Sequence, residues 1–593
     1  MNKSKNLSLH YWALAGVIAL GAILRFWNLD LKPLWLDEVL TALLSLGGRY
    51  EDVPLDVVFP ASTLQHLFTL KPEVSCFEIA QAVATKSTHP PLFFCLMHQW
   101  LNWVEPIAQP LSWKLRALPA LVGVFAIAST YLLNRVAFSP TAGLMGAAFM
   151  AVSPFGVYLS QEARHYTLPM LFITLALLGL IQIQQTLSTQ KLPQPAIWLL
   201  WGIVNSIGCY IHYFFFLAFI AQLLTLTGFM YWRRRMLPRG SWVGVALVVI
   251  GVALSYLPWL PVMLESFGRS ETGWLPKPAN LAPVYQTLAA WVSIVITLPV
   301  EGQPIWIQVS MVLLTIAFGC WLARQVWGGL QQLWRQPSTQ VATFTLSCFT
   351  LSVLLQFVAI IYLLGKDITI APRYNFVYYP AMCALLGASF AYRDRLSTFV
   401  RAQKPAPVQT LLGRFIFCKS LKGQWRKILP LFIALISCIF VVSNLVFLKP
   451  FHPQKVARDM NFEPAIPMMM VMGYTNFQDV ALGLSFALAI NQQNLNIPKR
   501  ATDTSFAFLN TKQGYQTVWQ KLSELPALLV PRLNLWVVAP GLKQRDYPPQ
   551  LAIASSRTPP NIANQKTCTL DPSGYHRIGV PYQLYRCTSA SRL

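Results

Sequence analysis

Two adjacent carboxylates, Asp37 and Glu38, close the stretch Leu34-Trp35-Leu36-Asp37-Glu38. A carboxylate that is not simply solvated can take a proton from a hydroxyl or hold a divalent cation. The same pair also suits an ordinary helix start, where acids are favoured. Further along come Thr88-His89-Pro90-Pro91, then Gln161-Glu162-Ala163-Arg164-His165-Tyr166, then His212-Tyr213, and finally Pro372-Arg373-Tyr374. His89 precedes two prolines, which stop a helix from running back through it. The segment from Gln161 to Tyr166 places an acid, an arginine and a histidine between apolar runs, which is costly unless the charges are used or Glu162 neutralises Arg164. Arg373 offers a planar fork of donors to a phosphate, or it snorkels to a membrane interface as an anchor. Acids and phosphate-binding bases together suit a substrate with a phosphate and a nearby hydroxyl.

The elements that must position these residues are membrane helices. The chain has 593 residues, of which 55% are apolar and only 11% charged. A soluble domain carries about 25% charged residues, so a single large soluble protein is excluded. Disorder is excluded too, because it needs few apolar residues. Apolar runs near the 20 residues a bilayer requires fall at about 10–28, 115–134, 141–159, 166–186, 195–211, 212–232, 241–262, 304–326, 341–364, 373–392 and 428–448. This predicts a mainly α, polytopic helical bundle of about 11 spans. No small-residue cleavage site follows the first run, so it reads as an uncleaved span.

Charge sets the orientation. The formal charge is +24, from 46 Lys and Arg against 22 Asp and Glu. Cytoplasmic loops collect Lys and Arg. With the N-terminus in the cytoplasm, Arg135, Lys191, Arg233-Arg234-Arg235, Arg324, Arg335 and the basic segment 393–427 lie inside. The outer side receives 29–114, 265–303 and 449–593. This holds only if 89–104 does not span, and its mixed face suits a helix along the outer surface. The motifs above then all fall on the outer face. An ion path would instead place charges within the spans.

The last 145 residues change character. Met468–Gly473, Leu535–Val538 and Tyr582–Arg586 read as strands, and Phe477 to Ala489 as a helix. A membrane module over 1–448, with juxtamembrane helices in its first outer loop 29–114, would thus precede a small extracytoplasmic α/β domain over 449–593. Cys568 and Cys587 both lie in that domain and are candidates for a disulfide in an oxidising compartment. The other cysteines read as small apolar residues.

Trp35-Leu36-Asp37-Glu38, His89-Pro90-Pro91, Gln161-Glu162-Ala163-Arg164 and Pro372-Arg373-Tyr374, in this order, resemble glycosyltransferase family 39 over roughly residues 10–450. That family includes the protein O-mannosyltransferases, is similar to the lipid A aminoarabinose transferases, and belongs to the membrane-embedded GT-C class. The resemblance implies inverting transfer of a sugar from a polyprenyl-phosphate carrier to a hydroxyl or similar acceptor outside the plasma (bacterial inner) membrane. It implies Asp37 as catalytic base or its close partner and Glu162 as the second-loop acid, with Glu38 a further catalytic candidate. His89, Arg164 and Arg373 would contact the carrier phosphate, with His165, His212 and Tyr374 as further substrate-binding candidates.

The acceptor is open among a glycolipid, a glycan and a protein, because the chain lacks the extra lumenal domain of the protein mannosyltransferases. No ligand spacing requires a metal, although the carboxylates leave a divalent cation open. No Walker-type phosphate loop or dinucleotide fingerprint occurs, which argues against nucleotide chemistry and nucleic-acid partners. Two rival readings are a transporter or flippase of lipid-linked sugars and a non-catalytic assembly subunit.

Overall fold

The computed structural model describes residues 2–267, 275–392, 413–494, 504–525, 530–554 and 565–588. Residues 393–412 of the basic segment therefore lie outside the described part. The chain forms two compact units. A membrane unit comprises Met1–Leu29, Ser87–Phe93 and Arg116–Phe447. A sheet unit comprises Asp30–Lys86, Phe94–Leu115 and Leu448–Leu593.

Among the described residues, seven helices are long and apolar enough to cross a membrane: Ser8–Phe26, Leu111–Ala137, Thr167–Ser188, Phe215–Trp232, Ile305–Arg335, Pro337–Leu363 and Trp425–Val442. Two bent pairs raise the number to nine if each is one span. They are Pro140–Ala151 with Pro154–Ser160, bent by 60°, and Gly240–Tyr256 with Leu260–Ser266, bent by 73°. The expected eleven spans are thus corrected to seven to nine. The apolar runs are present, but the helices within them are shorter. Pro195–Cys209 has 15 residues and rises only about 22 Å, short of a hydrocarbon core of about 30 Å. The run 373–392 opens with the tight turn Pro372–Val377, and its α-helix is only Tyr379–Tyr392. The segment expected on the outer surface is the helix Leu92–Val104, whose 13 residues are also too few to span.

The break at Pro154 has a traceable cause. Proline has no N–H to offer the carbonyl four residues before it. Ser153 restarts the helix, its Oγ accepting from the Gly156 N–H at 3.3 Å. The carbonyls left over in the preceding turn are taken by Arg25, which is fully buried. Its guanidinium donates to Met150 O at 2.9 Å and Ala151 O at 3.1 Å. An arginine inside the first span is therefore a backbone cap, which satisfies groups that lipid cannot. Gln161 Nε2 then donates to Trp27 O at 2.8 Å and fixes the start of the segment that follows. Small residues bring the neighbouring helix close, since a Cβ on Gly387 would run into the Gly146 backbone.

The sheet unit holds seven strands: β1 (Val58–Pro60), β2 (Met468–Tyr474), β3 (Thr504–Asn510), β4 (Arg532–Val538), β5 (Gln550–Ala554), β6 (Gln565–Ile578) and β7 (Val580–Thr588). Their order is β1-β3-β2-β4-β7-β6-β5. β2 runs parallel to β3 and β4, and the other pairs are antiparallel. Every residue of β2 is buried, as a continuous apolar run in a parallel centre requires. The expected helix spans Phe477–Asn494. Strand β1 comes from the first outer loop and pairs Val58 with Ala507 and Phe59 with Phe506. The same loop stacks Tyr50 on Phe477 at 3.5 Å between ring centroids.

Two disulfides join Cys568 to Cys587 and Cys76 to Cys95. The second corrects the reading of those two cysteines as small apolar residues. Both bridges lie in the sheet unit, and disulfides persist in oxidising compartments, which makes this unit extracytoplasmic. Cys568→Ser is expected to lower the stability of the sheet unit by about 3 kcal/mol. The unfolding midpoint of the full-length protein in detergent, with and without reductant, checks this. A reductant that shifts wild type and variant equally would contradict it.

Candidate functional site

Three connections of the membrane unit each end an apolar helix or precede one, and each carries a histidine. His89 stands in the bent connection 87–91, where Pro90 and Pro91 prevent the helix Leu92–Val104 from starting earlier. The Leu92 N–H donates to Tyr210 O at 3.4 Å, which ties this stretch to the connection carrying His212. His165 lies between the helices Pro154–Ser160 and Thr167–Ser188. His212 lies between Pro195–Cys209 and Phe215–Trp232.

The three rings meet. The His89 and His165 centroids are 4.6 Å apart, those of His165 and His212 4.5 Å, and those of His89 and His212 5.8 Å. One nitrogen from each lies within 4.8 Å of the other two, an arrangement able to hold a divalent metal ion. Phe93 and Phe376 close around them, with centroids 5.6 Å from His165 and 4.9 Å from His212.

Two arginines share this environment. Arg164 Nη2 donates to His89 Nε2 at 3.1 Å. Burial foremost holds His89 well below the usual histidine range, followed by the charge of Arg164, His212 and Arg373. Burial likewise holds His165 well below that range, helped by His212, His89, Arg164 and Arg373. His212 is pushed down to about 3 by burial and by Arg164. All three imidazoles are therefore neutral near pH 7, and the fixed positive charge belongs to Arg164 and Arg373. The Arg373 guanidinium lies 5.7 Å from the Tyr374 ring, which in turn lies 4.8 Å from Phe214. Guanidinium groups beside neutral imidazoles in a buried setting suit an oxyanion such as a phosphate.

The structure thus brings His89, Arg164, His165, His212, Arg373 and Tyr374 into one region of the membrane unit. Glu162 belongs to the same unit and is buried, and its backbone carbonyl accepts from the Arg164 N–H at 2.7 Å. Asp37 and Glu38 belong to the sheet unit, in the first turn of the helix Leu36–Ser45. Asp37 is half-buried. Glu38 is fully buried and paired with Lys449 at 2.9 Å. The sequence reading missed Lys449 as this partner, and no local signal marks a pairing across so many residues. It also missed the three histidines as a single cluster. In the sequence each stands with its own polar neighbours, and only a shared outer face links them.

A family model described as dolichyl-phosphate-mannose-protein mannosyltransferase matches residues 88–259, which hold His89, Glu162, Arg164, His165 and His212. No curated protein matches the sequence. Among solved structures, ArnT from Cupriavidus metallidurans bound to undecaprenyl phosphate is 12% identical, with a TM-score of 0.52 and 98% of each chain covered. The same protein in its apo state is 10% identical, with a TM-score of 0.51, 100% of this chain covered and 99% of the other. The likeness runs the whole length of both chains, and the protein shares its overall fold with ArnT.

Proposed function

We propose that this protein is a membrane glycosyltransferase that moves a sugar from a polyprenyl-phosphate carrier to a hydroxyl acceptor outside the membrane. The observation that carries the reading is the meeting of Arg164, Arg373 and His89, from three distant stretches of sequence, in one buried region of the membrane unit. The full-length fold likeness and the family match across three of the site's connections support it.

In this mechanism the acceptor oxygen attacks the anomeric carbon from the face opposite the phosphate, which inverts that centre. The carbon–oxygen bond to the phosphate breaks, and its electron pair leaves with the polyprenyl phosphate. Asp37 receives the proton of the acceptor hydroxyl. Arg164 and Arg373 stabilise the charge that develops on the leaving phosphate, an effect usually among the largest in a polar transfer. His89 is neutral, and its Nε2 accepts from the Arg164 guanidinium and holds that group in place. The leaving phosphate needs no strong general acid. Glu162 orients the acceptor or Arg164, and Glu38 steadies the turn that carries Asp37. The N-terminus lies in the cytoplasm.

Deleting the gene and comparing cell glycolipids and glycans by mass spectrometry tests the reading. The expected result is a product one sugar short of wild type, together with an unused polyprenyl-phosphate sugar. Unchanged glycans would overturn the proposal.

A further inference from the structure

His165 is fully buried, and neither of its ring nitrogens has a hydrogen-bond partner. His212 is 4% exposed, and its Nε2 is also without one. Leaving a buried polar group unpaired costs about 1–3 kcal/mol. His165 and His212 thus each keep a buried ring nitrogen available to a ligand. Both histidines face His89, and the three ligand nitrogens lie within 4.8 Å of one another. We propose that His89, His165 and His212 form a three-histidine site for a divalent transition metal of the zinc class.

The donor set selects the metal. Imidazole nitrogen suits zinc, copper, iron and nickel, whereas magnesium and calcium take oxygen ligands. Zinc–nitrogen bonds of about 2.1 Å in a tetrahedron bring the nitrogens to roughly 3.4 Å apart. Side-chain rotation has to draw the nitrogens, now within 4.8 Å of one another, together to that value. Three protein ligands leave a fourth position open, the arrangement found in reactive rather than purely structural zinc sites. Three neutral ligands do not offset the ion's charge, and Arg164 and Arg373 stand nearby. An oxyanion therefore belongs in the fourth position, and metal and phosphate bind cooperatively.

The hydrogen bonds rank the ligands. His89 Nε2 already accepts a donor, while Nδ1 lies 3.4 Å from the hydroxyls of Ser87 and Thr88. The ion takes the place of the Arg164 donor, and those hydroxyls orient the ring from behind, as supporting partners of ligating histidines do. His165 gives up nothing to ligate. His212 Nδ1 accepts from the Phe214 N–H at 2.9 Å. To ligate it must release that bond, either through Nδ1 itself or by moving its proton onto Nδ1 to free Nε2, which makes it the weakest ligand of the three.

The test uses metal-stripped full-length protein in detergent, titrated with Co2+ with and without inorganic phosphate. Wild type is expected to show the visible absorption of tetrahedral Co2+, displaced by Zn2+ and not by Mg2+, with tighter binding in phosphate. His165→Ala is expected to weaken binding at least about a hundredfold, and His212→Ala about tenfold. His89→Ala, in an only partly buried connection, serves as a second variant if His165→Ala fails to fold. Absence of a tetrahedral signal in wild type, or binding unaltered in His89→Ala, would overturn the site. Equal affinity with and without phosphate would overturn the anionic fourth ligand. The phosphate argument rests on the proposed transfer reaction, but the readout is metal binding. Failure here leaves sugar transfer standing, and loss of sugar transfer does not remove the metal.

Discussion

Asp37→Asn is expected to lower sugar transfer by about 10²–10⁴-fold, the usual worth of a positioned general base. That corresponds to about 3–5 kcal/mol on the barrier. The amide keeps the shape of the carboxylate but cannot accept the hydroxyl proton. Asp37 is half-buried at the N-terminal turn of the helix Leu36–Ser45, where losing a negative charge costs about 1–2 kcal/mol of stability. The variant should therefore accumulate normally in the membrane and bind its donor with unchanged affinity. Turnover of a polyprenyl-phosphate-linked sugar by the purified variant checks this. Transfer at the wild-type rate would remove Asp37 from the mechanism.

Lys449→Met is expected to destabilise the sheet unit by about 3–5 kcal/mol, because it removes a counter-charge 2.9 Å from the buried Glu38 carboxylate. Glu38 is fully buried and Lys449 is 5% exposed. Their 2.9 Å pair joins the start of the first outer loop to the start of the C-terminal segment. The Trp35 N–H adds a 3.4 Å bond to the same carboxylate. Combining Lys449→Met with Glu38→Gln should recover most of the loss, since neither residue then carries a charge to bury. Thermal unfolding of both full-length variants beside wild type measures it. A single variant within about 0.5 kcal/mol of wild type, the range of an ordinary surface change, would show that water reaches the pair.

The membrane character and much of the site could be read from the sequence, because ionisable residues between long apolar runs are costly and few. Arg164 and His165 stand in such an interruption, and so does His212. Side counting then placed their connections on one face together with His89 and Arg373. The β2, β4 and β7 strands were visible as short apolar runs between turn formers. Other features left no local trace. Apolarity registers neither a bend nor a short helix, so the bent pairs read as continuous spans, and the short helices Pro195–Cys209 and Tyr379–Tyr392 were counted as two spans more. Arg25 falls inside the first apolar run with no local mark of its role, because its use as a cap depends on carbonyls freed by a proline far along the chain. Strand β1 has only three residues, and its partner β3 lies more than 400 residues away. The pairings of Glu38 with Lys449 and of Cys76 with Cys95 are likewise facts of the folded state.

That distant pairing sets a timetable for biosynthesis. Phe59 leaves the ribosome long before Phe506, the residue opposite it in the sheet. At roughly 5–20 residues per second, the interval is on the order of twenty to ninety seconds. The membrane helices are made during this wait, while the edge segment stays unmated. Its brevity limits what it can pair with in the meantime. The Cys76–Cys95 bridge lies within a short stretch of chain and can close early, whereas Cys568–Cys587 must wait for the last residues to be exported. A ribosome stalled before Thr504 would therefore leave behind a protein with one of its two bridges formed and its first strand still without a neighbour.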